Sequence, residues 1–329
     1  MNLLQNSWRE RGQIMACKVI ENLAIETYHN GSNYIDFWSS SNIKTMLKSP
    51  KHAHFEKYNA EHKDSAAKDF GTLIHDFLDS KVRGVEFDRT VFYPPINQKT
   101  GEAYGSATKK YLDARMEAGG KNSLMSEGDD KALKAIWYNL TNCKYQSRII
   151  EHIIKYGTPE VSIFAESDGI KYKIRPDVLV GGNTPKIIDW KSTADISLEG
   201  IQKAIQNYKY DISAAMYQYI EHERTGIWKP FIWVFIENVP PYDFLVVDAS
   251  PYAFSIEKQG GENIIIPNVG AHTFLTLKKQ LEECIKTEYY PGVASRIKPN
   301  FESTKRSGKR IAKLQPSNWY NNNLIEFFK

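Results

Sequence analysis

A lysine and three acidic residues in the middle of the chain are of the types that metal-dependent chemistry needs. Asp189 and Lys191 interrupt a segment otherwise rich in isoleucine and tryptophan, and Glu160 and Asp177 lie in the two segments before it. An Asp-x-Lys triplet is common on solvated surfaces, but an unpaired charge inside an apolar strand is costly. The four residues are therefore candidates for a functional site.

Turn residues predict how these segments pair. Short stretches rich in Val, Ile, Phe and Tyr predict three strands, at residues 160–166, 171–180 and 186–191. The Asp168-Gly169 pair between the first two is typical of a two-residue hairpin turn. Counting back from that turn places Glu160 opposite Asp177.

The connection formed by residues 181–185, Gly-Gly-Asn-Thr-Pro, predicts a five-residue loop. Counting back from this loop places Asp177 opposite Asp189, and Lys191 shares that face because side chains alternate along a strand. Like charges directly opposite each other are destabilising. Since Lys191 can offset one carboxylate but not three, the pattern predicts a divalent cation, and an all-oxygen site favours Mg²⁺ or Mn²⁺.

A cation held by carboxylates beside a lysine is suited to the hydrolysis of phosphodiesters. Such a metal polarises a non-bridging oxygen, activates a bound water and neutralises the leaving group. The lysine positions or helps to deprotonate that water, or stabilises the developing negative charge. A phosphodiester hydrolase is therefore the expected enzyme class.

The pattern around these strands predicts an α/β protein. Apolar residues recur at helical spacing over residues 66–82. Further helices are predicted at residues 106–117, 129–155, 199–224 and 269–288, and further strands at 231–236 and 244–247. Helices thus precede and follow the segments that carry the candidate site.

Composition and missing motifs exclude several classes of protein. Of 329 residues, 41% are hydrophobic and 25% charged, which is typical of a folded soluble protein, and a net charge of +4 does not by itself indicate nucleic acid. Three widely spaced cysteines favour a reducing compartment over a disulfide framework. No apolar run approaches the roughly 20 residues of a membrane span, so we expect a cytoplasmic protein. The motifs of P-loop ATPases, dinucleotide enzymes, zincins and α/β-hydrolases are absent.

The combination of motifs resembles the PD-(D/E)xK nuclease superfamily, and within it the RecE-like (exonuclease VIII) branch of phages and prophages. Asp177 stands in Ile-Arg-Pro-Asp-Val-Leu-Val, and Asp189 and Lys191 stand in Lys-Ile-Ile-Asp-Trp-Lys-Ser-Thr. Four further segments are similar to that branch, at residues 41–55, 71–78, 159–162 and 286–293. The likeness implies a restriction-endonuclease-like core, with a central mixed β-sheet flanked by helices and an N-terminal helical decoration.

The resemblance also suggests a division of the chain. Residues 1–37 would be a lead-in of uncertain order, and residues 38–293 the exonuclease domain. Within that domain, helices would occupy 38–155, and the catalytic sheet with its flanking helices 156–293. Residues 294–329 would form a basic tail, in which Lys305, Arg306, Lys309 and Arg310 are either solvated or contact DNA.

The predicted strand register and the family resemblance together indicate the metal-binding residues. Asp177, Asp189 and Glu160 are expected to hold Mg²⁺, with Mn²⁺ as a possible substitute. The backbone carbonyl of Trp190 is a further candidate ligand. Lys191 is expected to serve the attacking water.

Three other residues have two interpretations each. A histidine beside an apolar stripe, such as His75, is usually a hydrogen-bonded core residue, whereas the resemblance implies a role beside the metal or the scissile phosphate. Arg175 shares the strand face of Asp177, where it contacts a phosphate or balances the carboxylates. Tyr217 is by default a core residue, and the alternative is a contact with DNA.

The resemblance implies a processive exonuclease that degrades one strand of linear double-stranded DNA from 5′ to 3′. The 3′ single-stranded tail would serve recombination by strand annealing, with a single-strand annealing protein as partner. Relatives form ring-like oligomers around DNA, so a trimer or tetramer in a bacterial host cell is expected. A site-specific or structure-specific endonuclease, or a non-catalytic DNA-binding module, remains an alternative.

One position departs from the family pattern. The branch usually has Gln-x-x-x-Tyr on the helix after the catalytic strands, and here Ser213 replaces the glutamine while Tyr217 is kept. Asp211 or Gln218 could substitute for the missing amide. End recognition and strand polarity are therefore left open.

Overall fold

The computed structural model of the chain describes residues 16–59, 66–120 and 123–293. Its helices are α1 (Ile25–Asn30), α2 (Ser40–Thr45), α3 (Pro50–Asn59), α4 (Ala66–Arg83), α5 (Lys109–Glu117), α6 (Glu127–Asn142), α7 (Ser147–Tyr156), α8 (Leu198–Tyr208), α9 (Tyr210–Thr225) and α10 (Val269–Thr287). Its strands are β1 (Ala16–Ile20), β2 (Thr90–Phe92), β3 (Leu124–Ser126), β4 (Gly157–Pro159), β5 (Ser162–Ser167), β6 (Ile170–Ile174), β7 (Val178–Val180), β8 (Lys186–Thr193), β9 (Phe231–Glu237), β10 (Phe244–Asp248), β11 (Phe254–Gln259) and β12 (Glu262–Pro267).

The central sheet is mixed and has the strand order β10-β9-β8-β7-β4. β8 and β9 are parallel, whereas the other neighbouring pairs are antiparallel. A second sheet has the order β1-β5-β6. The predicted fold class, an α/β core with a mixed sheet between helices, is confirmed.

Helices cover both faces of the central sheet. On one face Trp190, Val234 and neighbouring apolar residues pack against α4, α6 and α7. On the other face Ile187, Phe231 and Trp233 pack against α8, α9 and α10. Because side chains alternate along β8, Asp189 and Lys191 lie on the face of Ile187, toward α9.

A single hairpin connects the two sheets. Ser167 lies opposite Ile170, and Val180 lies opposite Lys186, so both predicted turns and both predicted registers are confirmed. The hairpin is not one continuous ladder, because β5 pairs with β6 in one sheet and β4 pairs with β7 in the other. The predicted strand 171–180 is therefore interrupted between Ile174 and Val178.

Two predicted helices are also each divided in two. The helix predicted over 129–155 is broken between α6 and α7, where the Ser147 hydroxyl donates to the Leu140 carbonyl (2.8 Å) near the end of α6. The helix predicted over 199–224 is broken at Lys209, which has left-handed backbone angles (φ 54°, ψ 46°). Hydrophobic spacing continues across both breaks, so it did not reveal them.

Part of the predicted lead-in belongs to the folded unit. β1 pairs with β5, and the Lys173 ammonium donates to the carbonyls of Tyr28 (2.9 Å), His29 (3.3 Å) and Tyr34 (3.2 Å). Burial lowers the pKa of Lys173 to about 8. This lysine attaches residues 28–34 to the second sheet.

Two other sequence-based expectations concern the C-terminal tail and the absence of a membrane span. The basic tail residues Lys305, Arg306, Lys309 and Arg310 lie outside the described residues. Among the residues described, no helix is both long and apolar enough to span a bilayer.

Candidate active site

The candidate site lies where β7 separates from β8. β8 pairs with β9 as far as Thr193, but its pairing with β7 stops at Ile188. Continuing the β7–β8 register by two residues places Pro176 opposite Trp190. Proline has no N–H to donate to the Trp190 carbonyl, so that carbonyl is left available to other groups.

Asp177 replaces the missing strand partner of β8. Its carboxylate accepts a hydrogen bond from the Trp190 N–H over 2.6 Å. The Lys191 ammonium lies 2.5 Å from the Asp189 carboxylate and 3.2 Å from the Trp190 carbonyl. The structure therefore brings Asp177, Asp189, Trp190 and Lys191 together, as the register predicted.

Burial and like charge act together on the Asp177 carboxyl. Burial raises its pKa well above the ordinary value, and the Asp189 carboxylate raises it further, while Lys191 acts in the opposite direction. A cation bound beside these two carboxyl groups would oppose both effects and favour the ionised form of Asp177.

The Lys191 ammonium supplies one positive charge to this cluster. Burial favours a lower pKa for Lys191, but the Asp189 and Asp177 carboxylates outweigh that effect and hold its pKa above the ordinary value. Lys191 is therefore a cation at neutral pH. It can stabilise negative charge and orient a water molecule, but it is not a base in this state.

His75 reaches the same carboxylates from α4, on the opposite side of the sheet break. Its Nδ1 lies 3.7 Å from an Asp177 carboxylate oxygen. Residue 71, one turn earlier in α4, is glycine, and a Cβ there would lie 2.9 Å from the Ser192 hydroxyl oxygen, which would have to move. Burial and then Lys191 lower the pKa of His75 to about 4, so its imidazole is neutral and able to coordinate a metal.

Glu160 lies at the predicted register, since its N–H donates to the Asp177 carbonyl over 3.0 Å. Its backbone has a positive φ of 54°, and its carboxylate pairs with the Arg175 guanidinium. Arg175 also donates to the Leu23 carbonyl (2.8 Å) and the Ser162 hydroxyl (3.3 Å). In the structure the side chains of Glu160 and Arg175 thus stabilise the bend of the hairpin. The metal-binding role of Glu160 and the DNA-binding role of Arg175 remain predictions.

Tyr217 faces the site from α9. Its hydroxyl lies 3.5 Å from the Arg175 carbonyl, and burial and then the Asp189 and Asp177 carboxylates raise its pKa. Gln218 does not substitute for the missing family glutamine. Its amide is buried and used by the Lys229 carbonyl and by the Phe254 backbone.

A tyrosine that the sequence did not single out also contacts the site. The Tyr210 ring centroid lies 5.0 Å from the Lys191 Nζ atom, within cation–π range. Tyr210 begins α9 directly after the break at Lys209. Because the sequence predicted one continuous helix there, this placement had no recognisable signal.

A cleft of about 720 Å³ opens beside His75. Its walls come from residues 22–25, from one side of α4, and from Glu160, Arg175 and Ser192. Since His75 also approaches Asp177, the cleft joins the carboxylate cluster at this histidine.

Comparison with known proteins agrees with this geometry. Residues 39–265, more than half of the chain, match the model of a family described as a PDDEXK-like domain of unknown function (DUF3799). The chain belongs to this PDDEXK-like family. The matched range includes all of the candidate site residues that the structure brings together.

A solved structure has the same overall fold as this PDDEXK-like domain. It is a crystal structure of a protein from Eubacterium rectale named "Putative exonuclease", with 16% sequence identity and a TM-score of 0.50. The match covers 91% of this chain and 97% of the other. No curated protein sequence matches the chain. Family and fold together support a nuclease function.

The donor set of this PDDEXK-like domain fits a divalent metal ion, as nucleases of this type generally use. Asp177, Asp189 and the Trp190 carbonyl offer oxygen ligands, which hard cations prefer. Within the described ranges, no three His, Cys, Asp or Glu side chains already stand in a metal-coordinating group. The oxygen donors that the structure already brings together are two carboxylates and a main-chain carbonyl, and His75 Nδ1 lies 3.7 Å from the Asp177 carboxylate.

Proposed function

We propose that the protein is a Mg²⁺-dependent DNA exonuclease that hydrolyses phosphodiester bonds at the ends of linear double-stranded DNA. One arrangement carries this proposal: Asp177, Asp189 and the Trp190 carbonyl, which β7 does not pair, meet at a break in the sheet beside the Lys191 ammonium. The family match and the exonuclease-like fold support the same reaction class.

Each of these residues has a definable task. Asp177 and Asp189 hold the metal ion, which when bound polarises the scissile phosphate and lowers the pKa of a coordinated water. Lys191 moves from the Asp189 carboxylate to the attacking water or to a non-bridging phosphate oxygen, where its positive charge offsets the charge that develops. The neutral His75 coordinates the metal or accepts a hydrogen bond from the water.

Glu160 is proposed as a third metal ligand. Its backbone already hydrogen-bonds to Asp177, and its side chain would have to leave Arg175 to reach the ion. The Glu160 side chain is about 27% exposed, which leaves it room to exchange the guanidinium for a metal ion. The released Arg175 would then be free to contact a DNA phosphate.

The finer features of the proposal rest on the RecE-like resemblance alone. They are degradation from 5′ to 3′, a 3′ tail for strand annealing, a ring-like trimer or tetramer, and an annealing protein as partner. The ion could also be Mn²⁺, since oxygen donors accept either metal.

The proposal is tested with end-labelled linear duplex and closed circular duplex DNA, incubated with Mg²⁺ or with EDTA. Asp189→Asn and Lys191→Ala are compared with Glu199→Gln and Lys203→Ala, which change an exposed ion pair on α8. We expect Mg²⁺-dependent shortening of the linear DNA, lost in the first two variants and retained in the two controls.

Each other outcome selects a different function. Cleavage of the circle indicates an endonuclease of the same fold. Binding of the duplex without hydrolysis in any divalent metal indicates a DNA-binding module. Unchanged hydrolysis by Asp189→Asn refutes the proposed active site.

A further inference from the structure

An aromatic pair leads outward from the Lys191 ammonium to the protein surface. The rings of Tyr208 and Tyr210 stack with centroids 5.4 Å apart and an interplanar angle of 22°. Tyr210 is half-buried and touches Lys191, whereas Tyr208 is 63% exposed. These separations place the Tyr208 ring no more than about 10 Å from the Lys191 Nζ atom.

The break between α8 and α9 produces this pair. In a continuous helix, residues two positions apart do not face each other. Lys209 adopts left-handed backbone angles, which are uncommon for a residue with a side chain, and so redirects the chain between the two tyrosines. The local backbone therefore brings the two rings onto one side, next to the candidate site.

Lys44 holds the outer end of the pair in place. Its ammonium donates to the Tyr208 carbonyl over 3.2 Å, at the C-terminus of α8. A cation there also interacts favourably with the helix dipole. Lys44 lies close enough to the site to interact with the charges of Lys191 and Asp189, so it adds positive potential along the path from the site to Tyr208.

Resting on the proposed nuclease function, we propose that Tyr208 is a stacking platform for an unpaired base of the DNA strand that enters the site. An exposed aromatic ring beside positive charge is the arrangement that binds single-stranded nucleic acid, because every base presents a π-face. A distance of about 10 Å corresponds to roughly three base steps or fewer of a stacked strand. The base that Tyr208 holds is therefore near the scissile phosphate, and the platform favours frayed or overhanging ends.

The test measures binding and hydrolysis separately. The probe is a short duplex with a single-stranded overhang that carries 2-aminopurine, whose fluorescence falls when the base stacks. Binding is measured in EDTA by anisotropy and by this fluorescence, and KM and kcat are measured with Mg²⁺. The variants are Tyr208→Ala, Tyr208→Trp and, as a control, Tyr145→Ala, which removes another exposed tyrosine (76%, against 63% for Tyr208) that also lies beside a lysine.

We expect Tyr208→Ala to weaken binding and raise KM by about 5- to 150-fold, with kcat within about twofold. The fluorescence quench should be lost in Tyr208→Ala and restored in Tyr208→Trp, and Tyr145→Ala should resemble the parent protein. Since Tyr208 is exposed, the variant should fold, which a thermal melt checks.

The two proposals fail in different ways. If the parent protein binds and quenches the probe but does not hydrolyse it, and Tyr208→Ala loses the quench, the nuclease function fails and the stacking platform stands. If it hydrolyses DNA and Tyr208→Ala leaves affinity, KM and fluorescence unchanged, the platform is refuted. Absence of any binding by the parent protein refutes the platform as well.

Discussion

The backbone N–H of Trp190 donates to the Asp177 carboxylate over 2.6 Å, where an uninterrupted ladder would supply the Pro176 carbonyl. An intramolecular hydrogen bond of this kind contributes roughly 0.5–1.5 kcal/mol to stability. Asp177 is thereby fixed by the main chain of β8, the strand that also carries Asp189. The fold thus holds two carboxylates together in spite of their mutual repulsion.

Asp177→Asn should separate the catalytic role of this residue from its effect on stability. Asparagine keeps an oxygen that can accept from Trp190 but removes the charge. A carboxyl whose pKa is raised on folding takes up a proton when the chain folds, so its ionised form opposes folding at pH 7. We expect a higher Tm in EDTA and a loss of Mg²⁺-dependent hydrolysis of about 100-fold or more. A lower Tm, or hydrolysis within tenfold of the parent, would contradict this account.

Lys191→Ala should have the opposite effect on the metal-free protein. It leaves the two carboxylates without their ammonium partner, and removal of one member of a buried ion pair costs about 3 kcal/mol. We expect a lower free energy of unfolding in EDTA, partly restored by Mg²⁺ because the ion binds the folded state. Urea denaturation with and without Mg²⁺ measures both effects. The idea fails if Mg²⁺ stabilises the variant less than it stabilises the parent protein.

Pro176→Ala tests whether the Trp190 carbonyl, which has no partner on the strand of Pro176, serves the metal. Alanine supplies the N–H that proline lacks, so it can pair with that carbonyl and complete the ladder. We expect the Mg²⁺ concentration for half-maximal hydrolysis to rise roughly tenfold, as when the surroundings of a metal ligand are changed. An unchanged Mg²⁺ requirement would exclude the carbonyl as a ligand.

Lys173 should make the stability of the fold depend on pH. Burial lowers its pKa to about 8 in the folded protein, against 10.5 in the unfolded chain. Above pH 8 the unfolded chain therefore binds more protons, and the free energy of unfolding should rise with pH. Between pH 8 and 9.5 we expect a rise of roughly 1–2 kcal/mol relative to Lys173→Met. Lys57 also has a pKa lowered to about 8, and it is present in both the parent protein and Lys173→Met. Its contribution therefore cancels in the comparison. If the free energy of unfolding changes equally with pH in the two proteins, the role of Lys173 is contradicted.

The register of the site could be predicted because turn chemistry determines it. Asp168-Gly169 and the loop 181–185 each set one alignment, and together they place Glu160, Asp177 and Asp189 side by side in the backbone. The directions of the side chains could not be predicted in the same way. The positive φ of Glu160 and its pairing with Arg175 depend on tertiary contacts that strand alternation does not encode.

The helix break at Lys209 could not be predicted, for a related reason. Left-handed residues are usually recognised by glycine or asparagine, and a lysine there gives no such signal. The apolar residues of α8 and α9 keep nearly helical spacing across the break. Tyr208 and Tyr210 therefore became visible as neighbours of Lys191 only in the structure.

The edge strand β1 has a practical consequence for preparing the protein. It covers the outer edge of β5, which would otherwise present unpaired N–H and C=O groups to other chains. A fragment trimmed to residues 39–265 would lose this cover, and with it α10, whose Phe274 and Leu281 are fully buried. Such a fragment should aggregate rather than stay monodisperse, whereas one that keeps residues 16–293 retains β1 on β5 and an intact interior.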